Sequence, residues 1–185
     1  MSRQQREIEA KYQVTDVASI DDALAGWGLT LSRAVFQDDQ AYAKSGWRYG
    51  MSKVGVPFAR LRTQESQHIF TVKTPQENEM ACLEYETYVE DRAAMHCAVV
   101  AMGFYPTVRI LKNRRTARCG AIVICVDEVE RLGTFLEVER IVGAGQTGPE
   151  VQAELDSFVH GLGVYMERTT ETYDSMLRNA QPAAV

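Results

Sequence analysis

Residues 6–14 alternate without a break, with Ile8, Ala10, Tyr12 and Val14 on one side and Glu7, Glu9 and Lys11 on the other. Successive side chains of an extended chain point to opposite faces, so this predicts a strand with an apolar back and a row of charge in front. The same period returns down the chain. In 58–63 Arg60 and Arg62 share a side opposite Leu61, and in 67–75 Lys73 lies with Ile69 and Thr71 before the Thr74-Pro75 turn. In 82–89 Glu84, Glu86 and Tyr88 oppose Leu83, Tyr85, Thr87 and Val89. Residues 108–118 align Ile110, Lys112, Arg114, Thr116 and Arg118; 121–129 end in Asp127-Glu128; and 134–142 set Phe135, Glu137, Glu139 and Ile141 against Leu136, Val138 and Arg140. A further strand is expected over 31–42.

Between these strands the period changes. Val17, Ile20, Ala23, Leu24 and Trp27 fall at helical spacing over 16–27, with Gly28 as the stop. A second helix is expected over 91–103, capped by Asp91, and a third over 149–161, with Thr147 as cap and Pro149 in the first turn. Residues 165–177 also read as helix. Gly46, Gly50 and Gly55 punctuate 44–57, which reads as a loop or loose hairpin near the mouth of whatever the sheet encloses. Residues 1–178 are expected to form one domain, with 179–185 a frayed tail.

Composition narrows the function classes. A net charge of -5 argues against non-specific nucleic-acid binding, which needs a cationic surface. Neither a membrane-length apolar run nor an apolar signal core after Met1 is found, so a cytoplasmic protein is expected. Cys82, Cys97, Cys119 and Cys125 lack zinc-site spacing and read as reduced thiols, and His68, His96 and His160 are scattered.

The charged rows leave two arrangements open. An ordinary half-buried sheet would turn them to solvent, although solvated strand faces usually mix threonine, serine and glutamine among the charges. Alternatively the sheet curls into a barrel with the rows inside, where unmatched charges are costly and demand counter-charge, metal or ligand. Carboxylates offer oxygen ligands to Mg2+ or Mn2+, and arginines and lysines suit phosphate oxygens. A polyphosphate carried with a divalent ion satisfies both. No GxxxxGK[ST] loop is present, so side chains would have to hold the phosphates.

Glu7-x-Glu9-x-Lys11 resembles the ExExK signature of the CYTH superfamily, the triphosphate tunnel metalloenzymes. The match continues in order through Ala59-Arg60-Leu61-Arg62, Thr71-Val72-Lys73, Leu83-Glu84-Tyr85-Glu86, Leu111-Lys112-Asn113-Arg114-Arg115 and the run from Val126 to Glu139. The resemblance implies an α+β fold dominated by an antiparallel β-barrel, an eight-stranded triphosphate tunnel with helices packed outside. It further implies Glu7, Glu9, Glu137 and Glu139 as metal ligands, with Asp127 and Glu86 next, and one or two Mg2+ or Mn2+ ions. Lys11, Arg60, Arg62, Lys73, Lys112 and Arg114 would grip the triphosphate, with Arg168 a further phosphate contact. Lys73, Tyr42 and Lys11 are the expected catalytic group, Tyr42 with Lys73 for a hydrolytic route.

The style of the chain is closest to the class IV adenylyl cyclases, which convert ATP to cyclic AMP and pyrophosphate. Inorganic or thiamine triphosphatase activity and a non-catalytic triphosphate-binding module remain alternatives. The expected partner is a nucleoside triphosphate or other triphosphate, with no nucleic acid and no membrane; a homodimer is left open.

Overall fold

The structure is a computed structural model that describes residues 5–143 and 145–180. Eight antiparallel strands form a closed barrel: β1 (Gln5–Val14), β2 (Val35–Lys44), β3 (Phe58–Gln64), β4 (Gln67–Pro75), β5 (Ala81–Val89), β6 (Phe104–Cys119), β7 (Ile122–Val129) and β8 (Gly133–Val142). The hydrogen-bonded order is β5-β4-β3-β2-β6-β7-β8-β1, and pairing of β1 with β5 closes the ring. That closure is partial. Only Gln5 to Ile8 of β1 pair with Glu84 to Ala81, so the second half of this edge of β1 needs another partner for its backbone groups.

That partner is β9 (Glu167–Thr169), paired antiparallel to Lys11, Tyr12 and Gln13. The single helix expected over 165–177 is therefore corrected to a short strand followed by α4 (Tyr173–Asn179). Local periodicity suited a helix, but the vacant edge of β1 supplied hydrogen bonds that only the folded barrel could offer. Asn179 closes α4, and the tail expected at 179–185 otherwise lies largely outside the described residues.

The apolar backs of the strands meet the helices outside the ring. Ile8, Ala10, Val14, Ile124, Val126, Leu136 and Val138 pack with Ile20 and Leu24 of α1 (Val17–Gly26) and with Val151, Leu155 and Val159 of α3 (Gly148–Gly161). Both helices start as the sequence predicts. Asp16 accepts from the Ser19 amide, and Thr147 forms a reciprocal capping box with Glu150. On the other side Val99 of α2 (Arg92–Ala101) packs on Tyr42, Ala59 and Leu61. At one end of the interior Tyr173 and Leu177 of α4 close over Val108, Ile110, Val129 and Phe135. No helix among the described residues is long and apolar enough to cross a membrane.

Candidate functional site

With the apolar faces covered outside, strand parity turns the charged rows inward. They line a cavity of about 380 Å³, within the range of small-molecule sites. Glu7, Glu9, Lys11, Arg60, Arg62, Lys73, Glu84, Glu86, Lys112, Arg114, Glu137 and Glu139 all face it. The half-buried sheet with solvated charge is thereby excluded.

The register of β1 on β8 divides this interior. Glu9 stands directly opposite Glu139, like charge against like charge, whereas Lys11 stands opposite Glu137. Carboxylate oxygens of Glu7, Glu9 and Glu139 lie within 4.8 Å of one another, and this trio is the one such metal-competent cluster among the described residues. Burial pushes the Glu139 carboxyl up to about 8, helped by the charge of Glu7. Glu9 is raised by burial and by Glu137. Glu7 moves the other way: burial opposes its charge, but Lys73 at 3.4 Å, a hydrogen bond with Glu84 and the charge of Arg60 together outweigh it. A compact set of hard oxygen donors that holds excess negative charge fits a divalent cation.

The other expected ligands are differently employed. Glu137 is held by Lys11 at 3.2 Å and by Arg114, which keep it ionised well below the usual range despite burial. Asp127, fully buried, receives Lys112 at 2.7 Å, the Arg114 Nε at 2.6 Å and the Tyr173 hydroxyl at 3.1 Å. It sits behind the cations and does not line the cavity. Glu86 lies at the rim, paired with Arg60 at 3.4 Å and with Thr71.

Among the expected phosphate contacts, Lys73 bridges Glu7 and Glu84, the latter at 2.5 Å. Burial raises Glu84 to about 7 even so, with Lys73 opposing it. Arg62 makes a two-pronged bond to Asp39, 2.7 Å on each arm, and this holds Asp39 well below the usual carboxylate range against the effect of burial. Arg168 is elsewhere. It lies on β9 outside the ring and binds Asp156 of α3 at 2.6 Å, where the Tyr12 hydroxyl also donates. Tyr42 is among the residues that line the cavity, but its ring packs with Val99 under α2 and its hydroxyl is taken up by His96 Nδ1 at 2.8 Å. The expected pairing of Tyr42 with Lys73 is not formed, since Tyr42 has the opposite parity from Asp39 and Ala41.

The sequence reading missed several lining residues. Asp39 lies in a polar run with no charged alternation to mark it. Lys53, Trp47 and Phe58 come from the glycine-punctuated 44–57 segment and its junction with β3, and Glu79 from the β4–β5 turn. The placement of that segment beside the mouth was the signal available. Of the cysteines, Cys82 and Cys125 are buried, Cys119 is half-buried and Cys97 is exposed, all as free thiols.

The CYTH domain family matches residues 5–173. A Methanocaldococcus jannaschii protein named "Putative adenylate cyclase" is 23% identical over 160 residues, covering 85% of this chain and 90% of its own length. The PH1819 protein of Pyrococcus horikoshii is similar in structure, with a TM-score of 0.79 at 23% identity over 95% of this chain and 99% of its own. The Hippeastrum "Putative adenylyl cyclase HpAC1", reported to have a dominant triphosphatase activity, gives a TM-score of 0.64 at 15% identity over 96% and 97% of the two chains. At these identities the structural likenesses establish the barrel fold.

Proposed function

The chain belongs to the CYTH domain family, and on that footing we propose that it binds ATP with Mg2+ or Mn2+ inside the barrel and converts it to cyclic AMP and pyrophosphate. The observation that carries this reading is the division of one cavity into three chemistries. The carboxylate trio Glu7, Glu9 and Glu139 supplies oxygen donors within 4.8 Å of one another. Lys11, Arg60, Arg62, Lys73, Lys112 and Arg114 supply cations suited to phosphate oxygens. Trp47, Phe58, Ala41, Ala43 and Pro75 form an apolar wall beside them, which suits an aromatic ring and has no use for inorganic triphosphate.

In this reading Glu7, Glu9 and Glu139 hold the divalent ion, whose chemistry when bound is to offset charge on the phosphates. Arg60 and Lys73, on neighbouring strands, orient the triphosphate so that the α-phosphorus faces the ribose 3′-hydroxyl. Lys112 and Arg114 are held in place by Asp127 and balance the charge that develops on departing pyrophosphate. Closure of one barrel end by α4 limits water at the reacting phosphorus, which favours attack by the ribose hydroxyl over hydrolysis.

A triphosphatase is the second reading, favoured by the dominant triphosphatase activity reported for the Hippeastrum neighbour. The test is incubation with ATP, thiamine triphosphate and inorganic triphosphate in turn, with Mg2+ or Mn2+, and separation of products. Cyclic AMP with pyrophosphate is the expected result. Orthophosphate without cyclic nucleotide would instead assign the hydrolase, and turnover of none of the three would leave triphosphate binding without catalysis.

A further inference from the structure

The segment between β2 and β3 lies as a strap at the end of the cavity that α4 closes, and one side chain ties it to that helix. Lys53 is 6% exposed, and its ammonium reaches Glu79 Oε2 at 2.9 Å, Thr172 Oγ1 at 2.7 Å, Ser175 Oγ at 2.9 Å and Asp174 Oδ2 at 3.4 Å. Glu79 belongs to the β4–β5 turn, and the other three to the start of α4. A single ammonium therefore joins three segments that are far apart in sequence. The strap is pinned again where the Tyr49 hydroxyl donates to the Asp174 carbonyl at 2.9 Å and the Arg178 guanidinium lies 4.0 Å from the Tyr49 ring. Positive φ at Gly46, Gly50 and Gly55 lets so short a segment fold back on itself.

The strap carries one member of the apolar wall, Trp47, and runs into another, Phe58, at the start of β3. Trp47 donates its indole N–H to the Ser52 carbonyl, next to Lys53, and its ring meets Phe58 edge-on at 5.0 Å. An ammonium has three hydrogens, and four oxygens already surround this one, so Lys53 has no donor left for a phosphate. Its influence on a bound molecule must pass through the strap.

We infer that Lys53 is a positioning residue for the ring end of the nucleotide, which fixes Trp47 and Phe58 beside the phosphate-binding cations and so sets the preference for a nucleoside triphosphate over inorganic triphosphate. The inference rests on the nucleotide reading above. Removing the ammonium leaves Glu79 and Asp174 facing each other without a counter-charge and frees the strap, while Arg60, Lys73 and Lys112 stay on their strands.

The experiment compares wild type, Lys53→Met, Lys53→Arg and Glu79→Gln by calorimetry with Mn2+. The probes are the bis-methylene analogues of ATP and of inorganic triphosphate, which are resistant to cleavage, and a circular-dichroism melt checks that each variant is folded. Lys53→Met is expected to weaken the ATP analogue on the order of tenfold, equivalent to about 1.4 kcal/mol, while the triphosphate analogue shifts less than about twofold. Glu79→Gln should move the same preference less, and Lys53→Arg should restore most of it. Equal weakening of both analogues, or of neither, overturns the inference. Absence of cyclic AMP from wild type would break the cyclase reading alone, because the change in binding preference is read without turnover.

Discussion

Two stretches of the same β1–β8 ladder, two residues apart, have opposite electrostatic character. At Lys11 and Glu137 opposite charges face each other, and the pair merges with Asp127, Lys112, Arg114 and Tyr173 into a network in which each buried charge has a partner. At Glu9 and Glu139 two carboxylates face each other, with Glu7 alongside. The first region is satisfied by the protein itself. The second crowds three carboxylates together, with only Lys73 on Glu7 and a longer contact of 3.8 Å from Lys11 to Glu9, and burial, with neighbouring like charge adding to it, raises the Glu9 and Glu139 carboxyls. Identical alternation therefore builds both a structural network and a site prepared for a cation, and the difference lies in what the register sets across the ladder.

The sharpest break in this contrast comes from Glu139→Gln. Turnover should fall by roughly a hundredfold or more, while the metal-free protein melts no lower than wild type, because the amide replaces a buried carboxyl that is already uncharged below about pH 8. Steady-state kinetics with a melting curve decide it, and near-normal activity would remove Glu139 from the site. The matching change in the satisfied region is Asp127→Asn, which leaves Lys112 and Arg114 buried without their carboxylate. Urea denaturation should show a loss of about 3–5 kcal/mol; a loss below about 1 kcal/mol would mean that the network reorganises around Glu137.

Acidity sharpens the comparison next. The folded pKa of Glu139, about 8, lies above the ordinary 4.5, and that of Glu84, about 7, is also raised. The folded protein thus holds these protons more tightly than the unfolded chain does. The resulting stability is complete below about 4.5 and is lost as pH rises through about 7 and then about 8. The melting temperature of metal-free protein should fall across that window, and Mn2+ should flatten the slope by replacing the protons. A slope unaffected by Mn2+ would argue that the carboxylates do not bind it. The smallest effect is expected from Tyr42→Phe, which breaks only the bond to His96 outside the ring: about 1 kcal/mol of stability with turnover nearly unchanged. A large loss of turnover would return Tyr42 to the chemistry.

The sequence was most informative where structure is local. Alternation in β1, β3, β5, β6 and β8 announced which residues share a face, and the caps at Asp91 and Thr147 announced two of the helix starts. It was least informative where a residue's role depends on a distant partner. Asp127 has the same parity as a ligand, yet Lys112 and Arg114 from β6 and Tyr173 from α4 enclose it. Arg168 has the charge of a phosphate contact, yet the vacant edge of β1 draws its segment outside the ring.

The chain's own pattern thus determined which residues share a face, charge on one side of each strand and apolar side chains on the other, because side-chain direction along a strand follows from backbone geometry alone. Whether the charged faces turned to solvent or into a barrel it left open. Tertiary structure decided which carboxylates meet each other and which meet a cation, and it brought Lys53, Glu79 and Asp174 together at the end of the cavity that α4 closes. Those choices depend on register and on contacts between segments remote in sequence, and Coulomb interactions follow distance in space, which the order of residues does not record.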